Sequence, residues 1–298
     1  MSRRFALIVN PLAAGGRSQR CLPEATRELT LAGAEHRVVL PGSLAEACRE
    51  AAAAGANGET VVALGGDGLV GPIAGALRDA DTALAIVPAG RGNDLARVLG
   101  IPSDPRAAAR LAVEAAERRI DVAAVNGRPY VGIASLGFDS DANRVANESR
   151  LVRGNLVYVY AALRALAGWR HATFRVTVDG VRHELTGYSV AVANSKAYGG
   201  GMWLVPHAQL DDGRLDVLML EQHSKLKALV RMPKVFKGTH GDDPLARFLS
   251  GERIEIEADR DFVVYADGDP IGELPATVTV ERGVLRLVAP PREAEPTP

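Results

Sequence analysis

The sequence predicts an α/β plus β chain, with an α/β domain first and an antiparallel β domain after it. Up to Asp121, short unbroken apolar runs alternate with alanine-rich amphipathic stretches, as in a parallel sheet covered by helices on both faces. Beyond Asp121 the runs shorten and alternate with period two, the mark of antiparallel strands with one buried face. The 298 residues suffice for two cores at about 150 residues per domain.

Phe5 to Val9 reads as a strand, Arg17 to Ala34 as a helix, Arg37 to Leu40 as a strand, and Ser43 to Ala54 as a helix capped by Ser43. Thr60 to Leu64 and Ala83 to Val87 are further strands, each followed by a glycine-rich loop. In the second half, Thr173 to Val178 alternates, breaks at Asp179-Gly180 and resumes at Arg182, a hairpin signal. Tyr188 to Ala193, Arg214 to Leu220, Arg253 to Glu257, Asp261 to Tyr265, Thr277 to Val280 and Val284 to Val288 supply the remaining strands. Only Leu151 to Ala167 and Ser224 to Phe236 read as helical there. The boundaries this implies are 1–122 for the first domain, completed by a C-terminal strand near 284–290, and 123–283 for the second. The tail from Arg292 reads as frayed.

Thirty-five basic against 36 acidic residues leave a formal charge of −1, which excludes a polycation gripping nucleic acid through net charge. Two cysteines, Cys21 and Cys48, make no disulfide framework, so a reducing, cytoplasmic setting is expected. The apolar stretch at Phe5 to Val9 is too short for a signal peptide, and no run approaches the 18 or so residues of a membrane helix.

The chemistry is concentrated in the two loops, Gly65-Gly-Asp-Gly68 and Gly90-Arg-Gly-Asn-Asp94. Both follow parallel strands and so emerge at the carboxyl edge of the sheet, where backbone N–H groups and helix N-termini cradle phosphates. Gly66-Asp-Gly68-Leu-Val-Gly71 matches the dinucleotide fingerprint in spacing. Asp67, however, would set a carboxylate inside the pyrophosphate cradle, and no acid ends the next strand to take a ribose hydroxyl. A carboxylate beside phosphates is tolerated when Mg²⁺ lies between them, which is the arrangement of phosphoryl transfer.

Six motifs in order make the chain recognisable: Asn10-Pro11, Gly65 to Gly68, Gly90 to Arg97, Ala193-Asn194 with Tyr198 to Met202, Pro206 to Gly213, and Ala266-Asp-Gly-Asp269. Together they resemble the diacylglycerol kinase catalytic-domain family, which includes bacterial diacylglycerol kinases, YegS-like lipid kinases and sphingosine kinases. The resemblance implies an N-terminal NAD kinase/phosphofructokinase-like α/β domain, a C-terminal antiparallel β-sandwich domain, and an active site in the cleft between them. It implies ATP as co-substrate on Asn10, Gly65, Gly66, Asp67, Gly68, Gly90, Arg91, Gly92 and Asn93. Asp67, Asp94 and Asp121 are similar to the family's acids around a catalytic Mg²⁺. A second Mg²⁺ is implied at Gln209, Asp212 and Arg214, with Asp212 giving its carboxylate and the other two their carbonyls. The family's general base is a glutamate where this chain has Asp269, one methylene shorter; Glu273 is the neighbouring alternative.

Other departures are Leu69, Gly71 and Pro72, where the family carries a hydroxyl and an Asn-Glu pair, and Arg91, which replaces a threonine. The reaction implied is transfer of the ATP γ-phosphoryl to a lipid hydroxyl, with diacylglycerol the leading acceptor. Alternatives are a catalytically impaired nucleotide or lipid binder, and a kinase of a sphingoid base or a soluble metabolite. Each motif also has a plain reading: Asp94 as the cap of a helix from Leu95 to Leu99, Asp121 as the partner of Arg118 or Arg119, Asp212-Gly213 as a turn, and Asp267 to Asp269 as a hairpin joining Phe262–Tyr265 to Thr277–Val280. The basic and apolar residues of Ser224 to Lys237, with Lys225, Lys227 and Arg231, suit peripheral contact with an anionic membrane face. Edge strands leave a homodimer open.

Overall fold

Five consecutive buried residues, Phe5–Val9, form β1, the strand on which the first half of the fold is laid. The computed structural model describes residues 3–11, 15–148, 156–224, 226–227, 230, 234–235, 237–241 and 243–291. Lys225 and Arg231 of the basic segment, residues 151–155 and the tail 292–298 lie outside the described residues. The chain divides into two compact units, residues 1–122 with 282–298, and residues 123–281.

Unit 1 runs β1, α1 (Arg17–Leu31), β2 (His36–Val39), α2 (Leu44–Ala56), β3 (Thr60–Gly65), α3 (Asp67–Leu77), β4 (Ala83–Pro88), α4 (Asp94–Val98), α5 (Pro105–Glu114) and most of β5 (Glu117–Val125). Strands β2, β1, β3 and β4 pair in parallel in that order. They are continuously apolar in β1, β3 and β4 because helices cover both faces: α1 packs with α5, and α2 with α3. Right-handed crossovers put these pairs on opposite sides. Local chemistry sets the helix starts. Ser43 Oγ accepts from Glu46 N at 3.2 Å, and Asp104 Oδ1 accepts from Ala107 N at 2.8 Å ahead of Pro105. The end of β15 (Ala276–Val288) lies parallel to β4, pairing Arg286 with Ala83, and β5 pairs β15. Arg286 is held between Glu117 and Asp81.

Unit 2 contains β6 (Arg128–Tyr130), β7 (Ile133–Gly137), α6 (Phe138–Glu148), α7 (Leu156–Gly168), β8 (Ala172–Val178), β9 (Val181–Ala193), β10 (Leu215–Glu221), β11 (Ala246–Gly251), β12 (Arg253–Ala258), β13 (Val263–Ala266), β14 (Asp269–Glu273) and the start of β15. It is an antiparallel β-sandwich. The first half of β9 pairs β8, and its second half lies between β7 and β10. Its core gathers Tyr130, Leu136, Trp169, Phe174, Val190 and Val264, among others.

Several expectations need correction. Helix α6 went unseen because its apolar stripe, Phe138, Ala142, Val145 and Ala146, is short and half alanine, set among Asp and Asn residues of low helix propensity. Tyr188 to Ala193 is not a separate strand; β9 runs through Gly187, which lacks a side chain because a Cβ there would stand 2.0 Å from the Leu220 carbonyl oxygen. The expected strands at Thr277 and Val284 are likewise one strand, β15. The hairpin expected between Phe262–Tyr265 and Thr277–Val280 is instead β13–β14, turning at Asp267-Gly268.

Candidate active site

In unit 1, the carboxyl ends of β1, β3 and β4 carry the expected loops. Asn10 N donates to the Leu64 carbonyl at 3.3 Å and Ala89 N to the Gly65 carbonyl at 2.7 Å, tying the three loops together. Glycine is required where the loops touch. A Cβ at Gly90 would lie 2.4 Å from Gly66 Cα, and one at Gly66 would lie 2.8 Å from Gly90 Cα. Such distances mean that two main chains meet with no side chain between them. Asn93, at φ 53, closes the second loop by accepting from Gly90 N at 2.8 Å and donating to the Gly90 carbonyl at 3.1 Å.

Asp67 joins the loops. Its Oδ1 accepts from Asp94 N at 2.8 Å, so it caps α4 from 27 residues away, while the α4 N-cap position itself is Asn93. Asp94 is therefore the first helical residue, not the cap. Burial pushes the Asp67 carboxyl above its ordinary range, against the amides of Asp94, Asn93 and Leu95, which pull it down. No basic side chain pairs with it among the described residues. A desolvated carboxylate without a cation fits a divalent ion. The first turn of α3 offers the opposite complement, N–H groups suited to an anion such as phosphate: it starts at Asp67 behind Gly66, which has no side chain to cap it. Gly68 and Arg91 are exposed, and Gly92 is half-buried.

Asp121 stands in mid-strand in β5 rather than at its start, buried, with Oδ1 accepting from Gly283 N at 2.7 Å. Arg119 donates to the carbonyl of the same glycine at 2.9 Å, so the two residues hold β15 instead of pairing with each other. The start of α1 was passed over in the sequence. Gly15 and Gly16 have φ of 67° and 83°, Arg17 and Arg20 are exposed, and the buried Ser18 hydroxyl has no partner among the described residues. Gly15-Gly16 soon after a strand was the signal available for it.

In unit 2, neighbouring strands bring the acids to one end of a sheet. Asp267 and Gly268 form the two-residue β13–β14 turn with φ of 52° and 94°, a turn that demands positive φ at both positions. The Asp267 carboxylate accepts from Val131 N at 3.0 Å and Gly132 N at 2.9 Å, and a Cβ at Gly132 would come within 2.2 Å of it. This anchor, read in the sequence only as part of a turn, fixes Asp269, which pairs with Ala266. Asp269 is exposed, yet local desolvation raises its carboxyl above the usual range. Glu273 pairs with Val263 at the other end of the hairpin, four residues and about 13 Å from Asp269.

Asn194 N and Ser195 N both donate to the Gly132 carbonyl, at 3.0 and 3.2 Å, and Ala193 pairs with Ile133 on one side and Asp216 on the other. Asp267 and Asp216 thus flank a row three strand spacings wide, about 14 Å. The Gln209 to Arg214 loop leads into this row. Asp212 Oδ1 accepts from Arg214 N at 2.9 Å, and the Arg214 guanidinium turns to Ser250. Asp216, unforeseen, is buried; desolvation raises its carboxyl, His207 at 3.6 Å lowers it, and Asp212 raises it again. Two crowded carboxylates suit a hard cation, but among the described residues no three His, Cys, Asp or Glu side chains gather as a metal cluster. Main-chain, phosphate or water oxygens would have to complete either site. The glycines of Tyr198 to Met202 form a closed bridge, with Tyr198 and Met202 exchanging bonds of 2.8 and 2.9 Å.

Residues 4–125 match the family model described as the diacylglycerol kinase catalytic domain, and residues 132–289 the YegS C-terminal NAD kinase beta sandwich-like domain. The chain belongs to the diacylglycerol kinase catalytic-domain family of lipid kinases. It is similar to a diacylglycerol kinase of Mycobacterium tuberculosis, with 33% identity over 96% of this chain and 95% of that one. A "Probable lipid kinase YegS-like" of Pseudomonas aeruginosa is 32% identical over 96% of this chain and 94% of its own. The fold is that of a diacylglycerol kinase crystal structure from Bacillus anthracis, with a TM-score of 0.77, 21% identity, and coverage of 97% of this chain and 98% of that one. In this lipid kinase the family's motif loops in unit 1 interlock through backbone contacts. No described helix is long and apolar enough to cross a membrane.

Proposed function

We propose that this lipid kinase transfers the γ-phosphoryl of ATP to the hydroxyl of diacylglycerol, giving phosphatidic acid, with Mg²⁺. The observation that supports it best is the interlocked pair of glycine loops, with the desolvated, cation-free carboxylate of Asp67 at their junction. The Gly65 to Gly68 and Gly90 to Asn93 loops present main-chain N–H groups to the triphosphate, and Arg91, exposed beside them, adds a planar cation. Asn10 bounds the adjoining loop. Mg²⁺, when bound, neutralises triphosphate charge; Asp67 and Asp94 are the residues of unit 1 that would hold it. Asp121 serves the same site at one remove, by fastening β15.

In unit 2, Asp269 accepts the acceptor hydroxyl's proton, and its raised affinity for a proton suits that task. Asp267 keeps it in place. Gln209, Asp212 and Arg214, joined by Asp216, would hold the second ion. Positioning and charge neutralisation supply most of the rate in chemistry of this kind.

The test is incubation with γ-labelled ATP, Mg²⁺ and diacylglycerol dispersed in detergent. Label extracted into the organic phase, and lost with Asp67→Asn, is the expected result. Label confined to the aqueous phase would replace the lipid acceptor with a soluble one, and no transfer to any acceptor would leave a binding protein.

A further inference from the structure

The sheet of unit 1 ends at β2, which pairs with β1 and with no other described strand. Its outward main-chain N–H and C=O groups therefore have no ladder to join among the described residues. Proteins ordinarily blunt such an edge, often with an outward charge. Here Arg37 of β2 is engaged inward instead. Its guanidinium donates to the carboxylate of Glu59, just before β3 and two strands away, at 3.0 and 2.9 Å, and also meets Glu50 of α2.

The side chains around this edge are apolar. Val38 of β2 stands in one row with Leu7 of β1 and Val62 of β3, yet it is 42% exposed while the other two are buried. The helix cover on that face thus stops short of the last strand. Leu40, two residues on, is 60% exposed. The helix ends on either side add Leu31, the last residue of α1, at 69%, and Leu44, the first of α2, at 45%. Of the nine large apolar residues exposed among the described residues, these four follow one another along the chain around one strand. Scattered exposed leucines are ordinary, but a run of them at an open edge marks an interface.

The edge is its own complement. A second β2 laid antiparallel about a two-fold axis at Val38 sets Val38 against the partner's Val38, His36 against the partner's Leu40, and Arg37 against the partner's Val39. No charge then faces a like charge along the seam, and both open ladders find acceptors and donors. Val38 and Leu40, left bare by their own helices, are covered by the second copy.

We propose that the protein is a homodimer whose two sheets join through antiparallel pairing of β2, with Leu31 and Leu44 at the rim. The interface concerns unit 1 alone and stands independently of the catalytic reading.

Sedimentation equilibrium of the wild type, with neither nucleotide nor lipid present, should show a dimer. Val38→Lys sets like charges opposite each other and should raise the dissociation constant at least about tenfold; Leu40→Ser should raise it as well. Val181→Lys, at a position 60% exposed in unit 2, should leave the dimer as it was. Val38 and Leu40 are exposed at the margin of the sheet, so the monomer stays folded, which circular dichroism checks. Cross-linking supplies a second reading. Opposed residues of an antiparallel pair have Cα atoms about 4.5–5.5 Å apart, within disulfide range, so Val38→Cys should give a linked dimer on mild oxidation and Val181→Cys should not. Of the native cysteines Cys21 is buried and Cys48 half-buried, and the wild type gives their background. A monomeric wild type, a dimer that Val38→Lys leaves intact, or equal linking at positions 38 and 181 overturns the interface. Failure of the labelled-ATP assay would sink the kinase chemistry and leave the dimer standing.

Discussion

Replacing Asp67 by Asn and by Ala separates its two duties. The carboxylate caps α4 by accepting from Asp94 N at 2.8 Å, with the amides of Asn93 and Leu95 also acting on it, and it carries a charge that burial disfavours. Alanine removes the acceptor and leaves the Asp94 N–H unpaired; a lost cap costs about 1 kcal/mol, and a lost bond to a charged group about 1.5–3 kcal/mol. A loss of about 2 kcal/mol is therefore expected, read as a drop in Tm of roughly 4–8 °C for a unit of this size. Asparagine keeps an acceptor oxygen in the same place and removes the desolvated charge, so its stability should stay within about 0.5 kcal/mol of wild type.

The pH dependence gives a second reading. The folded state holds the Asp67 proton more tightly than the unfolded chain does. The wild type should therefore lose stability as pH rises from about 4 through the raised folded pKa, a slope that Asp67→Asn lacks. Kinase activity should fall by about 10²-fold or more in both variants, since the lost charge is the one a metal–nucleotide complex would need. Thermal unfolding across pH and the labelled-ATP assay measure these outcomes. If asparagine destabilises as much as alanine, the capping account is wrong; if asparagine keeps full activity, the charge has no catalytic part.

Other expectations follow from single contacts. Gly90→Ala sets a Cβ 2.4 Å from Gly66 Cα and should cost about 1–3 kcal/mol, abolishing nucleotide binding in calorimetry. Asp269→Asn should lower kcat by about 10²-fold to 10⁴-fold, and the acidic limb of the wild-type pH–rate profile should lie above about pH 4. Glu273→Gln, about 13 Å away along the hairpin, should leave kcat near wild type. Gly132→Ala, whose Cβ would press on the Asp267 carboxylate, should lower kcat through displacement of Asp269 while the protein stays folded in circular dichroism. Asp121→Ala should cost about 1–3 kcal/mol, whereas Asp121→Asn, which keeps an acceptor for Gly283 N, should cost less; denaturant unfolding compares them.

Much of unit 1 was legible because each rule acts over a few residues. Continuous apolar runs gave β1, β3 and β4, Ser43 announced α2, and glycine loops after buried strands marked the carboxyl edge. What escaped depends on partners distant in sequence. Nothing local tells that Asp67 caps a helix 27 residues on, that Asp121 holds Gly283, or that Asp267 grips the amides of Val131 and Gly132. Asp216 was invisible because, within a strand, an acid of this kind reads as a solvated side chain, and only the register that seats it beside Ala193 buries it. Helix α6 was missed for another reason: its stripe of Phe138, Ala142, Val145 and Ala146 is weak beside its Asp and Asn residues, and its place comes from packing on α7 and β7.

Strand β15 bears on how the polypeptide can be made. Unit 1 keeps Leu285, Leu287 and Val288 in its interior and uses Gly283 to occupy Asp121, although the whole of unit 2, residues 123–281, separates them from the rest of unit 1. A fragment stopping at Val122 would leave β4 with a bare hydrogen-bonding edge and a trough where three aliphatic side chains belong. Unit 1 thus begins before unit 2 along the chain but closes only after unit 2 has been made, and it should not be obtainable in isolation by simple truncation.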